Sequence, residues 1–261
     1  MGPPRALQDR STGGDFVIPH APSSARRSSS GRFADRRDGG RRLAEKLRAY
    51  TALGSLPRKD VVVLALPRGG VPVGYEVARA FGVRLDVFIV RKLGFPGHPE
   101  LAMGAIASGG VRVVNEHLFT AAGISEEILD RVAAREQEEL TRREREFRGG
   151  RPPLDVRGMT IILVDDGLAT GATMRAALEA LRAQEPAHLI AGVPIAAPDT
   201  CREIRALADE VVCAITPEPF RAVGHWYEDF TQTTDAEVRD LLADAVRFVE
   251  RPNTATEPDQ R

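Results

Sequence analysis

Two adjacent carboxylates, Asp165 and Asp166, follow an apolar run of the sequence and precede a loop of small residues. Carboxylate oxygens accept hydrogen bonds from the two hydroxyls of a sugar diol, so this pair suits a ribose. The loop has two glycines, which let the backbone turn tightly, and its N–H groups at a helix start attract an anion. The pattern therefore predicts a site for a phosphorylated polyol. The loop residues are Gly167, Leu168, Ala169, Thr170, Gly171, Ala172 and Thr173.

A structural interpretation of the same stretch competes with this one. A strand that ends in a polar turn before a helix is common in α/β proteins, and an Asp-Gly pair is weak evidence alone. The stretch is not a Walker A loop, because Gly-x4-Gly-Lys-Ser/Thr is absent. It is not a dinucleotide fingerprint either, since no Gly-x-Gly-x-x-Gly follows the strand. The full pattern from Asp165 to Thr173 is more specific than a turn and favours a binding site.

The elements that position this loop are a strand and a helix, and a second loop has the same setting. Residues 160–164 are apolar and β-branched, and a helix is expected from about Thr173. Residues 61–66 form another buried strand, which Pro67, Arg68, Gly69 and Gly70 follow. Carboxyl ends of parallel strands share one edge of a sheet, so both loops are expected there. On its own, the second loop is more typical of a plain glycine turn with a solvated arginine, and only its pairing with the acidic loop favours a binding role.

A third strand is predicted at residues 85–90, with Arg91 and Lys92 at its end and a Gly/Pro-rich segment beyond. Two cations at a strand end indicate anion contact, and the segment is expected to be mobile. His98 and Glu100 are candidate general acids or bases, although such loop residues are more often simply solvated. Residues 105–107 and 111–114 flank Ser-Gly-Gly and predict a β-hairpin lying with this segment.

Strands alternating with helices predict an α/β fold with a doubly wound parallel sheet and a small flexible hood region. Residues 33–250 are assigned to this domain. Residues 1–32 are rich in Pro, Gly, Ser and Arg and are predicted to be a disordered tail, and residues 251–261 a frayed end. A charge-rich helix from Ser125 to Phe147 is a candidate surface for a homodimer.

Bulk properties exclude several classes of protein. The 261 residues have a net charge of −1, which favours neither nucleic acid nor membranes as partners. No apolar run is long enough to span a membrane and no secretory leader is evident, so a cytoplasmic protein is expected. Cys201 and Cys213 form no CxxC pair and are predicted to be reduced, packed thiols.

The stretch from Asp165 to Thr173, with its preceding strand, resembles the phosphoribosyl-diphosphate (PRPP) motif of the type I phosphoribosyltransferases. The resemblance implies that the acidic pair holds the ribose 2′ and 3′ hydroxyls and that the loop cradles the 5′-phosphate. It also assigns the diphosphate to Arg68, Gly69 and Gly70. The catalytic residues that it implies are Asp165, Asp166, Lys92 and Arg91, the last two neutralising the leaving group.

The implied reaction is displacement of diphosphate from C1 of PRPP by a nucleobase nitrogen. Mg²⁺ is implied as the cofactor, held mainly by diphosphate and ribose oxygens, with no side chain predicted as a metal ligand. Residues 220–230 contain four aromatic side chains, which offer a platform for a nucleobase, although Trp226 and Phe230 are expected to cap the core. The same stretch is similar to the base-binding stretch of 6-oxopurine enzymes, in which Phe220 would stack on the base. Ala169 stands where those enzymes have an aspartate, and the loops look more like adenine-type enzymes. The base stays open, with a purine favoured.

Three other functions remain open. The chain could be a regulator that binds PRPP or a nucleotide without turnover, or a phosphosugar hydrolase that uses water attack at C1. The arginines of the N-terminal tail offer a nucleic-acid contact. The presence of Arg68, Lys92 and the acidic pair favours the transferase over a regulator.

Overall fold

The computed structural model describes residues 31–50, 58–95, 98–114 and 125–250. The predicted tail up to residue 30 and the predicted frayed end at 251–261 lie outside this part, so the proposed domain limits stay predictions. The helices are α1 (Arg36–Tyr50), α2 (Gly70–Phe81), α3 (Glu126–Arg148), α4 (Ala172–Arg182), α5 (Pro198–Ile204), α6 (Asp235–Ala245) and α7 (Arg247–Glu250). The strands are β1 (Val61–Ala65), β2 (Arg84–Val87), β3 (Val90–Phe95), β4 (His98–Ala107), β5 (Val111–Val114), β6 (Thr160–Val164), β7 (His188–Ile195) and β8 (Glu210–Ile215).

Five parallel strands form the central sheet in the order β2-β1-β6-β7-β8. All residues of β1 and β6 are buried, as expected for apolar, β-branched strands covered on both faces. Helices α1, α2, α3 and α6 contribute to the core on one face, and α4 and α5 to the core on the other. The prediction of an α/β, doubly wound parallel sheet is confirmed. Within the described ranges, no helix is both long and apolar enough to cross a membrane.

The prediction of one strand over residues 85–90 is wrong. The chain leaves the parallel sheet after Val87, and Val90 begins β3 in a separate antiparallel sheet of order β3-β4-β5. The crossing is fixed at Ile89, whose N–H donates to Ser108 Oγ over 2.9 Å and whose carbonyl accepts from the Ser108 N–H. The predicted hairpin is confirmed as β4 and β5. Arg91 and Lys92 therefore lie within β3 rather than at the end of a strand of the parallel sheet.

The N-termini of α6 and α3 are capped in different ways. The last long helix begins at Asp235 itself, and its N-cap is Thr234, whose hydroxyl accepts the Glu237 N–H over 3.1 Å. Ser125 does occupy the N-cap position of α3, but its side chain makes no capping hydrogen bond.

The prediction that the two cysteines pack is confirmed, but the prediction that they are reduced is wrong. Cys201 of α5 and Cys213 of β8 form a disulfide, and no free cysteine is left among the described residues. No local sequence pattern indicated this disulfide, because Cys201 and Cys213 come together only when α5 packs against β8.

Candidate active site

The glycine turn after β1 touches the acidic pair after β6. These two strands are neighbours in the sheet, and the Leu66 N–H donates to the Val164 carbonyl over 2.9 Å where they end. A Cβ atom at Gly69 would lie 2.1 Å from Asp166 Oδ2, and one at Gly70 would lie 2.8 Å from the same carbonyl. Only glycine permits this approach, so the two predicted loops form a single site. The peptide bond between Pro67 and Arg68 is cis.

The electrostatics of the acidic pair are set by burial. Burial, then the negative charge of Asp166, raises the pKa of Asp165 well above its usual range. Burial also raises the pKa of Asp166, although the hydrogen bond and charge of Arg36 oppose that shift. Asp165 Oδ1 accepts the Asp166 N–H over 2.8 Å, which fixes the first carboxylate against the backbone. A ligand that brings hydrogen-bond donors or positive charge would make both carboxylates easier to ionise.

Arg36, which no sequence pattern assigned to the site, is bound to the acidic pair. Its Nε donates to Asp166 Oδ2 over 2.8 Å, and its Nη1 donates to the Thr231 carbonyl over 2.7 Å. Its guanidinium carbon lies 3.9 Å from the ring centroid of Phe230, within cation–π range. One available signal was its place at the start of α1, where the helix dipole disfavours a cation that lacks a partner.

The aromatic segment after β8 closes the site from the other side. The Tyr227 hydroxyl donates to the Asp166 carbonyl over 2.6 Å, and its ring stacks on Phe230 at 5.1 Å between centroids. Burial, then the charge of Asp166, raises the pKa of Tyr227, so it stays a hydroxyl donor. Phe33 packs on Tyr227 with ring centroids 5.3 Å apart. The sequence marked Tyr227 only as one member of an aromatic cluster.

The other aromatic predictions had mixed outcomes. Phe220 and Trp226 are half-buried against a small cluster of Phe33, Ile195 and Tyr227. Trp226 thus packs as expected, and a stacking role for Phe220 stays a prediction. Phe230, expected to cap the core, is 37% exposed and carries the arginine instead.

The loop after the acidic pair is anchored by hydrogen bonds to β7 and α5, and its threonines are exposed. The Leu168 N–H donates to the Ile195 carbonyl over 2.9 Å and its side chain is buried, so Leu168 anchors the loop and has no N–H free for an anion. The Ala169 carbonyl accepts the Thr200 hydroxyl over 2.6 Å. Thr170 and Thr173 are exposed.

The loop ends at a helix N-terminus. Gly171 has a φ of +71°, which favours glycine, and its carbonyl accepts the Arg175 N–H over 2.9 Å as the first bond of α4. The N–H groups of Ala172, Thr173 and Met174 precede that bond and have no partner within the helix. This arrangement suits a phosphate.

The three predicted cations have different surroundings. The Arg68 Nη1 lies 3.6 Å from an Asp235 carboxylate oxygen at the start of α6. Arg91 forms an ion pair with Glu136 of α3, over 2.6 Å from Nη2 and 2.9 Å from Nε. Lys92 is exposed on β3. The side chains of His98 and Glu100, the candidate acids or bases, lie outside the described part of the chain.

The fold and the site together define a class of protein. A parallel sheet carries an acidic pair, a phosphate-type loop and a glycine turn at the carboxyl ends of two central strands. The family model for the phosphoribosyl transferase domain matches residues 34–228, and the chain belongs to that family.

Three comparisons place the chain within that family. It is 46% identical over 215 residues to a protein of Mycobacterium tuberculosis H37Rv that is provisionally named a phosphoribosyl transferase. The match to its counterpart in strain CDC 1551 has the same extent. Each match spans 82% of this chain but only 47% of the relative. The chain thus spans about half the length of these curated relatives. Protein TT1426 of Thermus thermophilus is 42% identical, with a TM-score of 0.71, over 82% of this chain and 98% of that one.

Proposed function

We propose that the chain is a phosphoribosyltransferase, which transfers the phosphoribosyl group of PRPP to a nucleobase and releases diphosphate. The observation that carries this proposal is the contact between the glycine turn and the acidic pair, at Gly69 and Asp166. That contact puts a diphosphate-type turn and a ribose-type carboxylate within one small site. Membership of the phosphoribosyl transferase domain family supports it, as does the provisional name of the 46% identical relative from Mycobacterium tuberculosis.

In this proposal the 5′-phosphate binds at the start of α4. The donors are the N–H groups of Ala172 and Thr173, which have no partner within the helix, and the exposed hydroxyls of Thr170 and Thr173. Gly167 and Gly171 allow the backbone of the loop to turn, and Ala169 contributes only backbone groups to the loop. Leu168 supports the loop through its bond to β7 rather than through contact with the ligand.

The ribose hydroxyls would bind Asp165 and Asp166, and the diphosphate would bind along Arg68, Gly69 and Gly70. Positive charge develops on the ribose ring as diphosphate leaves. The acidic pair has one arginine, Arg36, against two buried carboxylates, so it would stabilise that charge. The remaining contribution of the chain is to position the reactants. Lys92 and Arg91 are proposed to face the leaving group.

Mg²⁺ is part of the proposal only as an ion that arrives with the substrate. The described residues contain no group of three or more His, Cys, Asp or Glu side chains able to hold a metal. The carboxylates of Asp165 and Asp166 already accept N–H groups of the chain, so they would meet the ion indirectly, through ribose oxygens. When bound, Mg²⁺ would neutralise charge on the diphosphate. The residues present fit an ion that phosphate oxygens hold.

The base is proposed to be a purine, with Phe220 as a stacking surface. Ala169 has no proton-handling side chain, so specificity would come from contacts to other edges of the base. Whether adenine or a 6-oxopurine is accepted is a question for the assay.

The test is a diphosphate-release assay with PRPP and Mg²⁺ against adenine, hypoxanthine, guanine, xanthine, uracil and orotate. Release is expected with at least one purine. The double variant Asp165→Asn/Asp166→Asn should lose at least about a hundredfold in kcat/KM for PRPP. Asp130→Asn is the matched control, because this carboxylate is 65% exposed on α3 and pairs only with Arg112 in the described part of the chain.

Each other outcome identifies a different function. Diphosphate release that needs no base would indicate a hydrolase. Calorimetric binding of PRPP without release would indicate a regulator. An active double variant would show that the ribose site is assigned wrongly.

A further inference from the structure

Arg36 has three contacts that together fix its orientation. Besides the bond to Asp166 Oδ2, its Nη1 is held by the Thr231 carbonyl and its plane lies over Phe230. Its side chain is only 11% exposed, and that of Asp166 is 17% exposed. A cation with a carbonyl, a ring and a carboxylate around it has little freedom to move.

The same contacts fix Asp166 from several directions. Arg36 binds Oδ2, the Gly69 backbone lies against that same oxygen, and Tyr227 donates to the main-chain carbonyl of Asp166. Within the ranges 31–50, 58–95, 98–114 and 125–250, no other residue donates a hydrogen bond to the second carboxylate oxygen, Oδ1. It is therefore the oxygen left for a ligand.

We infer that Arg36 is a positioning residue, which holds Oδ2 of Asp166 so that Oδ1 is presented to a sugar hydroxyl. The inference rests on the proposed function for the identity of the sugar, PRPP. It links the first residue of α1 and the aromatic segment at residues 227–231 to the ribose site, although neither belongs to the acidic loop. Phe230 acts one step further out, as the surface on which the guanidinium lies.

Helix α1 also provides a matched control. Arg42 makes the same kinds of contact as Arg36: its guanidinium lies 5.0 Å from the Phe33 ring centroid, and its Nη2 pairs with Asp38 over 3.1 Å. No contact of Arg42 reaches the acidic pair within the described residues. Loss of Arg42 would therefore disturb the same helix without touching Asp166.

The experiment measures PRPP affinity by calorimetry, and kcat separately, for wild type, Arg36→Ala, Arg36→Lys, Phe230→Leu and Arg42→Ala. Arg36→Ala is expected to weaken PRPP binding by about tenfold to a hundredfold, because a charged hydrogen bond is lost. Arg36→Lys should recover part of the loss, and Phe230→Leu should show a smaller loss. Arg42→Ala should bind PRPP as the wild type does, with all variants folded by circular dichroism.

Two results would overturn the inference. Equal losses in Arg36→Ala and Arg42→Ala, without rescue by lysine, would mean that Arg36 only stabilises α1. Unchanged binding by Arg36→Ala would mean that the arginine has no positioning role, and tighter binding would mean that it competes with the sugar. If the wild type binds PRPP without turnover, the proposed transferase activity is contradicted, but the comparison of the arginine variants stays valid. If the wild type does not bind PRPP, both the proposed function and the inference about Arg36 are overturned.

Discussion

Gly69 is where a single residue type decides whether the site can exist. The Cβ atom of an alanine would lie 2.1 Å from Asp166 Oδ2 and 3.3 Å from Arg36 Nε, so the acidic side chain would have to move. We expect Gly69→Ala to lower kcat/KM for PRPP by at least about tenfold, since misplaced positioning groups cost rate steeply. Steady-state kinetics with the preferred base provide the measurement.

Gly192 of β7 is the control for that substitution. A Cβ there would meet Leu43 at 3.4 Å, an ordinary contact, on a backbone that L residues adopt freely. Gly192→Ala should keep its activity. If both variants lose activity equally, close approach at Gly69 is not the reason.

The carboxylate of Asp165 is expected to lower the stability of the folded protein, although it serves the proposed ribose site. Burial, and then the charge of Asp166, raises the pKa of Asp165 in the folded protein. The contribution of this group to the free energy of unfolding is therefore fully present below its unfolded pKa, and it is lost as the pH rises through its folded pKa. Asp165→Asn stays neutral and still offers an oxygen to the Asp166 N–H. We predict a Tm increase of about 2–4 °C near pH 8 and a smaller one near pH 5. Calorimetry at both pH values tests this, and equal gains would contradict it.

At the scale of elements, strand β3 gives its two cations different surroundings. Arg91 is tied to Glu136 of α3, whereas Lys92 is exposed. We predict that Lys92→Ala lowers kcat/KM for PRPP at least about tenfold with an unchanged Tm. Arg91→Ala should, in addition to any loss of activity, lower Tm by about 1–4 °C through the lost ion pair.

Glu136→Gln separates the two roles of Arg91. If Arg91 only joins β3 to α3, this variant should reproduce the effects of Arg91→Ala on Tm and on kinetics. Should Arg91→Ala lose far more activity than Glu136→Gln, the arginine contacts the leaving group directly.

At the scale of the whole molecule, the segment before α1 and the segment after β8 meet beside the candidate site. The Phe33 N–H donates to the Trp226 carbonyl, and the Glu228 and Asp229 N–H groups donate to the carbonyls of Phe33 and Ala34, over 2.8–2.9 Å. Phe33 is fully buried. The proposed ribose site therefore depends on the segment before α1 and on the segment after β8.

Two truncations test this dependence. A chain that begins at residue 31 should keep the Tm, PRPP affinity and nucleic-acid retention of the full chain. One that begins at Arg36 lacks Phe33 and should lose more than about 5 °C in Tm, since a buried aromatic is removed. If the shorter truncation already lowers PRPP affinity, or if the longer one has no effect, this account of the two segments is wrong.

Much of the fold was predictable because its signals are local. The continuous apolar runs of β1 and β6 and the spacing of strands and helices indicate a parallel sheet, and parallel sheets collect loops at one edge. The acidic loop and the glycine turn could thus be placed together before any contact was known. The break at Phe88 and Ile89 could not, because it depends on Ser108, which lies far along the chain.

The sequence by itself determined the sheet, the position of Asp165 and Asp166 at its edge, and the phosphate-type loop, because each follows from residues close together in the chain. Only the tertiary structure decided what surrounds Asp166. Arg36 and Tyr227 reach it from 130 and 61 residues away, respectively. Their types and local patterns carry no mark of that partner. Contacts between distant residues arise from packing of whole elements, so the orientation and charge of the acidic pair could be known only from the folded chain.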